Sequence, residues 1–100
     1  MKRVEFLATA RAELRETVDW YDAQRPGLGD EFIQSLVQCL SFMRSFPNAS
    51  PRVSRLSRRC RLRRFPYGLI YQVREDRLLI VAVMHLHRRP GYWRDRETEH

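Results

Sequence analysis

Residues 78–84 read Leu-Leu-Ile-Val-Ala-Val-Met, an apolar run without a break. Successive side chains of a strand point to opposite faces of a sheet. This run is therefore apolar on both faces and marks a central strand, within a stretch from Arg77 to Leu86. The preceding sequence supplies neighbours for it. Residues 69–74 read as a strand with Leu69, Tyr71 and Val73 on one face, and Glu75-Asp76 turns the chain between the two. Residues 59–65 alternate, with Cys60 and Leu62 to one side and Arg59, Arg61 and Arg63 to the other, and Pro66-Tyr67-Gly68 reads as the turn that follows. Three strands at such short spacing predict an antiparallel meander.

Upstream the period changes. Residues 2–6 read as a short strand, with Val4 and Phe6 on one face. Leu7, Ala10, Leu14, Val18 and Tyr21 then recur at spacings of three and four, which predicts a helix with Thr9 as its N-cap and Arg25-Pro26-Gly27 as its end. A second helix is expected to begin between Pro26 and Asp30. Its stripe is Leu28, Phe32, Leu36, Leu40 and Met43. Ile33 and Val37 widen that stripe, so much of this helix is expected to be buried. Asp30 and Glu31 suit its N-terminal end and Arg44 its C-terminal end, and Pro47, Asn48, Ser50 and Pro51 break the pattern. The short link predicts an antiparallel helical hairpin. The order β-α-α-β-β-β gives an α+β fold, a helical hairpin packed on an antiparallel sheet. One hundred residues make one domain, 1–100, with 95–100 expected to fray.

The formal charge of +7 is concentrated. Between Phe32 and Arg74 there are nine arginines and no Asp or Glu, and seven of the nine fall within residues 52–64. Residues 1–31 carry five bases and seven acids, and residues 75–100 carry five of each, so the whole excess comes from the middle. Such a field attracts nucleic acid or an acidic protein partner. Arginine adds a flat, always-charged fork that grips phosphates or carboxylates at two points. No apolar run reaches the length of a membrane span, about 18 residues, and Met1-Lys2-Arg3-Val4-Glu5-Phe6 lacks the apolar stretch of an export signal. Cys39 and Cys60 sit in apolar contexts without metal-ligand spacing and are expected to be buried and reduced. No metal or cofactor is expected.

Several blocks then carry a resemblance. Asp19-Trp20-Tyr21, Gln24 to Phe32, Phe46-Pro47, Arg64 to Tyr71, and His87-Arg88-Arg89-Pro90-Gly91-Tyr92-Trp93 follow one another in an order and spacing that resemble the ParE branch of the RelE/ParE toxin superfamily, over about residues 4–94. The resemblance implies a bacterial type II toxin–antitoxin system. It implies a small basic cytoplasmic toxin, held in a hetero-oligomer by an acidic, ParD-like antitoxin whose other domain binds DNA. It implies DNA gyrase as the poisoned target. The alternative within the superfamily is a RelE-like, ribosome-dependent mRNA endoribonuclease.

Metal-free RNA cleavage needs groups to take a proton from the 2′-hydroxyl, to stabilise the phosphorane and to protonate the leaving oxygen. RelE-like ribonucleases are held to use an arginine in the block that resembles Tyr67 to Val73. The matching position here is Gly68, so the resemblance favours a toxin that acts by binding, with no catalytic residues. If the chain is instead a ribonuclease, the candidates are Arg61, Arg63, His87, Arg88 and Tyr92. For partner binding the candidates are Trp20, Arg59, Arg61, Arg63, Arg88, Arg89, Tyr92 and Trp93, with Phe42 and Leu56 as weaker anchors. Each has a plainer reading. The arginines form a solvated strand face, Trp20 packs against the second helix, and Tyr92-Trp93 fold the chain end back onto the domain.

Overall fold

The computed structural model describes residues 2–98. Strand β4, Arg77–His85, lies inside a four-stranded sheet. Its residues 78–84 are all buried, as an apolar run on both faces requires. Strand β3, Tyr67–Val73, pairs antiparallel with one edge of β4, and strand β2, Arg58–Arg61, pairs antiparallel with β3. Strand β1, Arg3–Phe6, takes the other edge of β4 and runs parallel to it, Val4 opposite Leu78 and Phe6 opposite Ile80. The sheet order is β1-β4-β3-β2, so the meander is antiparallel and the sheet as a whole is mixed. The architecture is α+β in the expected element order.

Helix α1, Ala8–Gln24, and helix α2, Leu28–Ser45, form the hairpin on one face. Thr9 is not the cap of α1. Leu7 occupies that position, and its N–H bonds to the Ile80 carbonyl at 2.9 Å, so the chain passes from the sheet ladder directly into the helix. Gly27, with φ of 90°, makes the left-handed step between the helices. The Asp22 carboxylate then accepts the Gly29 N–H at 2.8 Å, at the electropositive start of α2. Phe32, Leu36, Met43 and Ala10 from the helices meet Leu69, Tyr71, Leu78, Ile80 and Val83 from the sheet. Ile33 and Val37 do not join them: Val37 is 54% exposed, because the apolar arc of α2 is wider than the sheet it covers.

The other face of the sheet carries a smaller cluster, Ile70, Val81, Ala82 and Met84, roofed by Trp93. The register slips here. Ile70 pairs with Ala82 but Tyr71 with Ile80, so Val81 stands extra in β4. The bulge explains why Leu78 and Ile80 face the helices and then Val83 does, not Ala82.

Two sequence expectations shift at the turn after β2. The strand ends at Arg61, and the turn spans Leu62 to Pro66, closed by the Leu62 N–H on the Tyr67 carbonyl at 2.9 Å. Arg64 takes the left-handed conformation, φ 72°. Gly68 lies within β3 rather than in a turn. A Cβ there would come within 3.1 Å of Arg59 Cγ, because the Arg59 stem crosses over it. The chain end also differs: Arg94–Thr98 is a 3-10 turn, where fraying was expected from residue 95, and residues 99–100 lie outside the described residues.

Replacing Asp22 by Ala is expected to lower stability by about 1 kcal/mol, through loss of an acceptor at a helix N-terminus. Guanidinium unfolding of the two proteins checks this, with an unchanged midpoint as the contrary result.

Candidate partner interface

Beyond Ile80, strand β4 has lost its neighbour β1, and its outer edge presents backbone groups with no ladder partner. Two side chains supply what the missing strand would. Glu13 of α1 accepts the Val83 N–H at 3.0 Å, and Arg96 donates to the Val81 carbonyl at 3.2 Å. The two side chains also pair with each other through two contacts, 2.9 and 3.1 Å. The Tyr92 hydroxyl donates to Glu13 at 2.8 Å. Burial first, and then the Glu13 carboxylate, raise the Tyr92 pKa above its ordinary value. Burial opposes the charge on Arg96, but Glu13 outweighs it and raises that pKa as well. Farther on, Glu97 accepts hydrogen bonds from Ser54 and Ser57, and its carbonyl accepts one from Gln72. The segment after Pro90 is thus a fastened strap. Trp93, 3% exposed, is its apolar anchor and is not available to a partner.

The candidate residues fall on three surfaces. The first is a groove of about 500 Å³ between α2 and the β2 edge. Ser35, Gln38, Phe42, Arg61 and Arg63 line it, with Cys39 and Cys60 also contributing. Arg61 and Arg63 are exposed, and Phe42 is 44% exposed beside Phe46, ring centroids 5.5 Å apart. The second surface is a pocket of about 250 Å³ beside the strap. There Arg59, Arg88 and Arg94 surround an apolar lining that includes Ile70, Met84 and Trp93. The Arg59 Nε is buried without a hydrogen-bond partner. The third is a shallow cleft where Trp20, 58% exposed, meets Tyr67, His85, Glu16 and Arg88. Trp20 packs edge-on against Tyr21 and does not turn towards α2.

This distribution breaks up the ribonuclease set. Arg61 and Arg63 line the α2 groove. Arg88 stacks 3.9 Å above the Tyr92 ring beside Glu13, and the Tyr92 hydroxyl is already committed to that carboxylate. His87 and Arg89 are exposed. Among the described residues, no group of three or more His, Cys, Asp or Glu could hold a metal ion, and no helix is long and apolar enough to cross a membrane.

The basic segment remains largely free of acids in three dimensions. Of the arginines in residues 52–64, only Arg64 forms an ion pair among the described residues, with Glu31 at 2.8 Å. Arg52 and Arg58 donate to backbone carbonyls. Sequence reasoning missed Glu13, whose place on the polar face of α1 looks solvated, and it named Phe42 as a weaker anchor but missed Phe46 beside it. The spacing of four between those phenylalanines, off the core stripe, was the available signal.

A family model described as the ParE toxin of the type II toxin–antitoxin system parDE matches residues 4–90. No curated protein matches the sequence. Among solved structures, a chain of the chromosomal ParDE toxin–antitoxin system from P. aeruginosa superimposes with a TM-score of 0.74 at 20% identity, covering 87% of this chain and 98% of that one. At that identity the likeness is one of fold.

Replacing Glu13 by Ala leaves the Arg96 guanidinium, the Tyr92 hydroxyl and the Val83 N–H without their acceptor. The expected cost is about 3 kcal/mol, as for breaking a largely buried ion pair. Glu13→Gln, which still accepts one bond, is expected to cost less. Denaturant midpoints of the two variants check the order, and equal, small losses would show that the strap is not held this way.

Proposed function

The chain belongs to the ParE toxin family of type II toxin–antitoxin systems, and we propose that an acidic, amphipathic antitoxin segment neutralises it by seating in the α2–β2 groove. The observation that carries this is the pairing of two features in one place. Arg61 and Arg63 have no carboxylate partner among the described residues, and they share the groove with the exposed ring of Phe42, which has the exposed Phe46 beside it. Guanidinium groups alone make a weak, salt-sensitive contact. Apolar anchors beside them supply the desolvated centre that a stable interface needs. A flexible acidic chain would cancel the self-repulsion of the basic segment and order as it binds. Trp20, Arg88 and Arg89 extend the surface that such a wrapping partner can reach.

For the target, the reading is a cytoplasmic poison of DNA gyrase that acts by binding. The separation of Arg61 and Arg63 from Arg88 and Tyr92 favours this over RNA cleavage, since in-line attack needs its acid, base and phosphate contacts converged on one phosphate. So does the capture of the Tyr92 hydroxyl by Glu13. The purified protein is expected to inhibit gyrase supercoiling or accumulate cleaved DNA complexes. Normal supercoiling at micromolar excess, together with transcripts cut in ribosome-bound codons after induction, would reverse the assignment.

The groove has its own test. Changing Arg61 and Arg63 together to Glu is expected to weaken antitoxin binding by roughly 100-fold, about 3 kcal/mol. Phe42→Ala is expected to weaken it roughly tenfold or more while leaving the fold intact, because the ring is half-exposed. Calorimetry against the cognate antitoxin measures both, and unchanged affinity in the double variant would assign the arginines to another ligand.

A further inference from the structure

The chain has two cysteines, and the toxin reading uses neither. Cys39 sits on α2 and Cys60 on β2, 21 positions apart, and packing brings them together. Both are buried free thiols, and their Sγ atoms are 2.7 Å apart. The Cys39 thiol is directed at this site: it donates towards the Cys60 sulfur and lies 3.5 Å from the Cys60 carbonyl. Both residues contribute to the lining of the α2–β2 groove together with Arg61 and Arg63, so the groove gives a small solute a route of approach to the pair.

We propose that Cys39 and Cys60 are a reversible redox pair that closes to an intramolecular disulfide when the chain meets a peroxide, stapling α2 to the edge of the sheet. The Cys60 thiolate attacks one peroxide oxygen. The O–O bond breaks, hydroxide leaves and takes up a proton, and Cys60 becomes a sulfenic acid. The Cys39 sulfur then attacks the Cys60 sulfur, the S–O bond breaks, and water leaves with the Cys39 proton. In total the two thiols give up two electrons and two protons, and one hydrogen peroxide becomes two waters.

The roles of the two sulfurs follow from their surroundings. The hydrogen bond from Cys39, opposed by burial and aided by the Ser50 hydroxyl, lowers the Cys60 pKa, while the same pairing pushes Cys39 up. Cys39 is the donor of the pair and Cys60 the acceptor, so negative charge is stabilised on Cys60, the attacking sulfur, and Cys39 is the resolving thiol. Positive charge at the groove rim favours the thiolate as well. A disulfide needs the sulfurs at about 2.03–2.05 Å, so closure asks for a movement of less than roughly 1 Å. The staple would close the chain segment between the cysteines, which carries Arg44, Arg52, Arg55, Arg58 and Arg59. It would restrict the unfolded chain more than the folded one.

The test uses the full-length protein, reduced, desalted under nitrogen and treated with hydrogen peroxide. Both thiols are expected to disappear together in a titration under denaturing conditions. The intact mass is expected to fall by two hydrogen atoms, and a non-reducing digest to contain the Cys39–Cys60 peptide. Dithiothreitol should restore both thiols, and the oxidised form should unfold at higher guanidinium than the reduced one. In Cys39→Ser, Cys60 should stop at the sulfenic acid and be trapped by dimedone. Should that variant not fold, the mass and digest of the unaltered protein decide. Two titratable thiols after excess peroxide, over-oxidation without a cross-link, or disulfide-linked dimers as the main product would each overturn the proposal.

Discussion

A strand apolar on both faces has to be covered on both, and that requirement on β4 organises the rest of this molecule. The helical hairpin answers it on one side through Phe32, Leu36 and Met43. The other side has no α-helix among the described residues. It is roofed by a strap that places Trp93 over Ile70, Val81, Ala82 and Met84. Burial of apolar area at about 25 cal/mol per Å² drives both contacts. The strap has little apolar surface of its own and needs polar fasteners.

Those fasteners solve a second problem of the same strand. Strand β1 stops at Phe6, opposite Ile80, and the rest of the β4 edge is left without a ladder. Glu13 and Arg96 satisfy the Val83 N–H and the Val81 carbonyl, and through each other they tie α1, β4 and the strap together. An ion pair in this setting contributes through geometry. Each charge is desolvated, and each is compensated by the other and by backbone dipoles. The arrangement also engages Tyr92, whose hydroxyl donates to Glu13. Glu13, Tyr92 and Arg96 together fasten the strap to α1 and β4.

The surface left over is shaped by what the core does not cover. Helix α2 is apolar over a wider arc than the sheet accepts, so Val37 shows on one flank and Phe42 on the other. On the Phe42 flank the edge strand β2 adds Arg61 and the turn after it adds Arg63, and the groove between them and α2 joins apolar and basic character. The same groove has the thiol pair in its lining. Partner capture and thiol oxidation, as proposed, would therefore act on one element of the structure.

The periodicities of the sequence determined the element order, the central place of β4, the helical hairpin and the core stripe of α2. Each of these follows from side-chain spacing along a local backbone. The uneven charge was equally plain, because no acidic residue lies within the segment that holds the arginines. Only the tertiary structure decided the rest. The parallel docking of β1 depends on which edge of β4 is vacant. The bulge at Val81 depends on cross-strand register, and Gly68 lies within a strand because it pairs with Arg61 on one side and Met84 on the other, with the Arg59 stem across it. Glu13 reads as solvent-facing along its own helix and becomes largely buried only when a segment more than seventy residues away folds onto it. Cys39 and Cys60 read as two separate buried thiols, and their contact exists because a helix and a strand pack together. Local pattern sets which side chains turn inward, and long-range packing sets which of them meet.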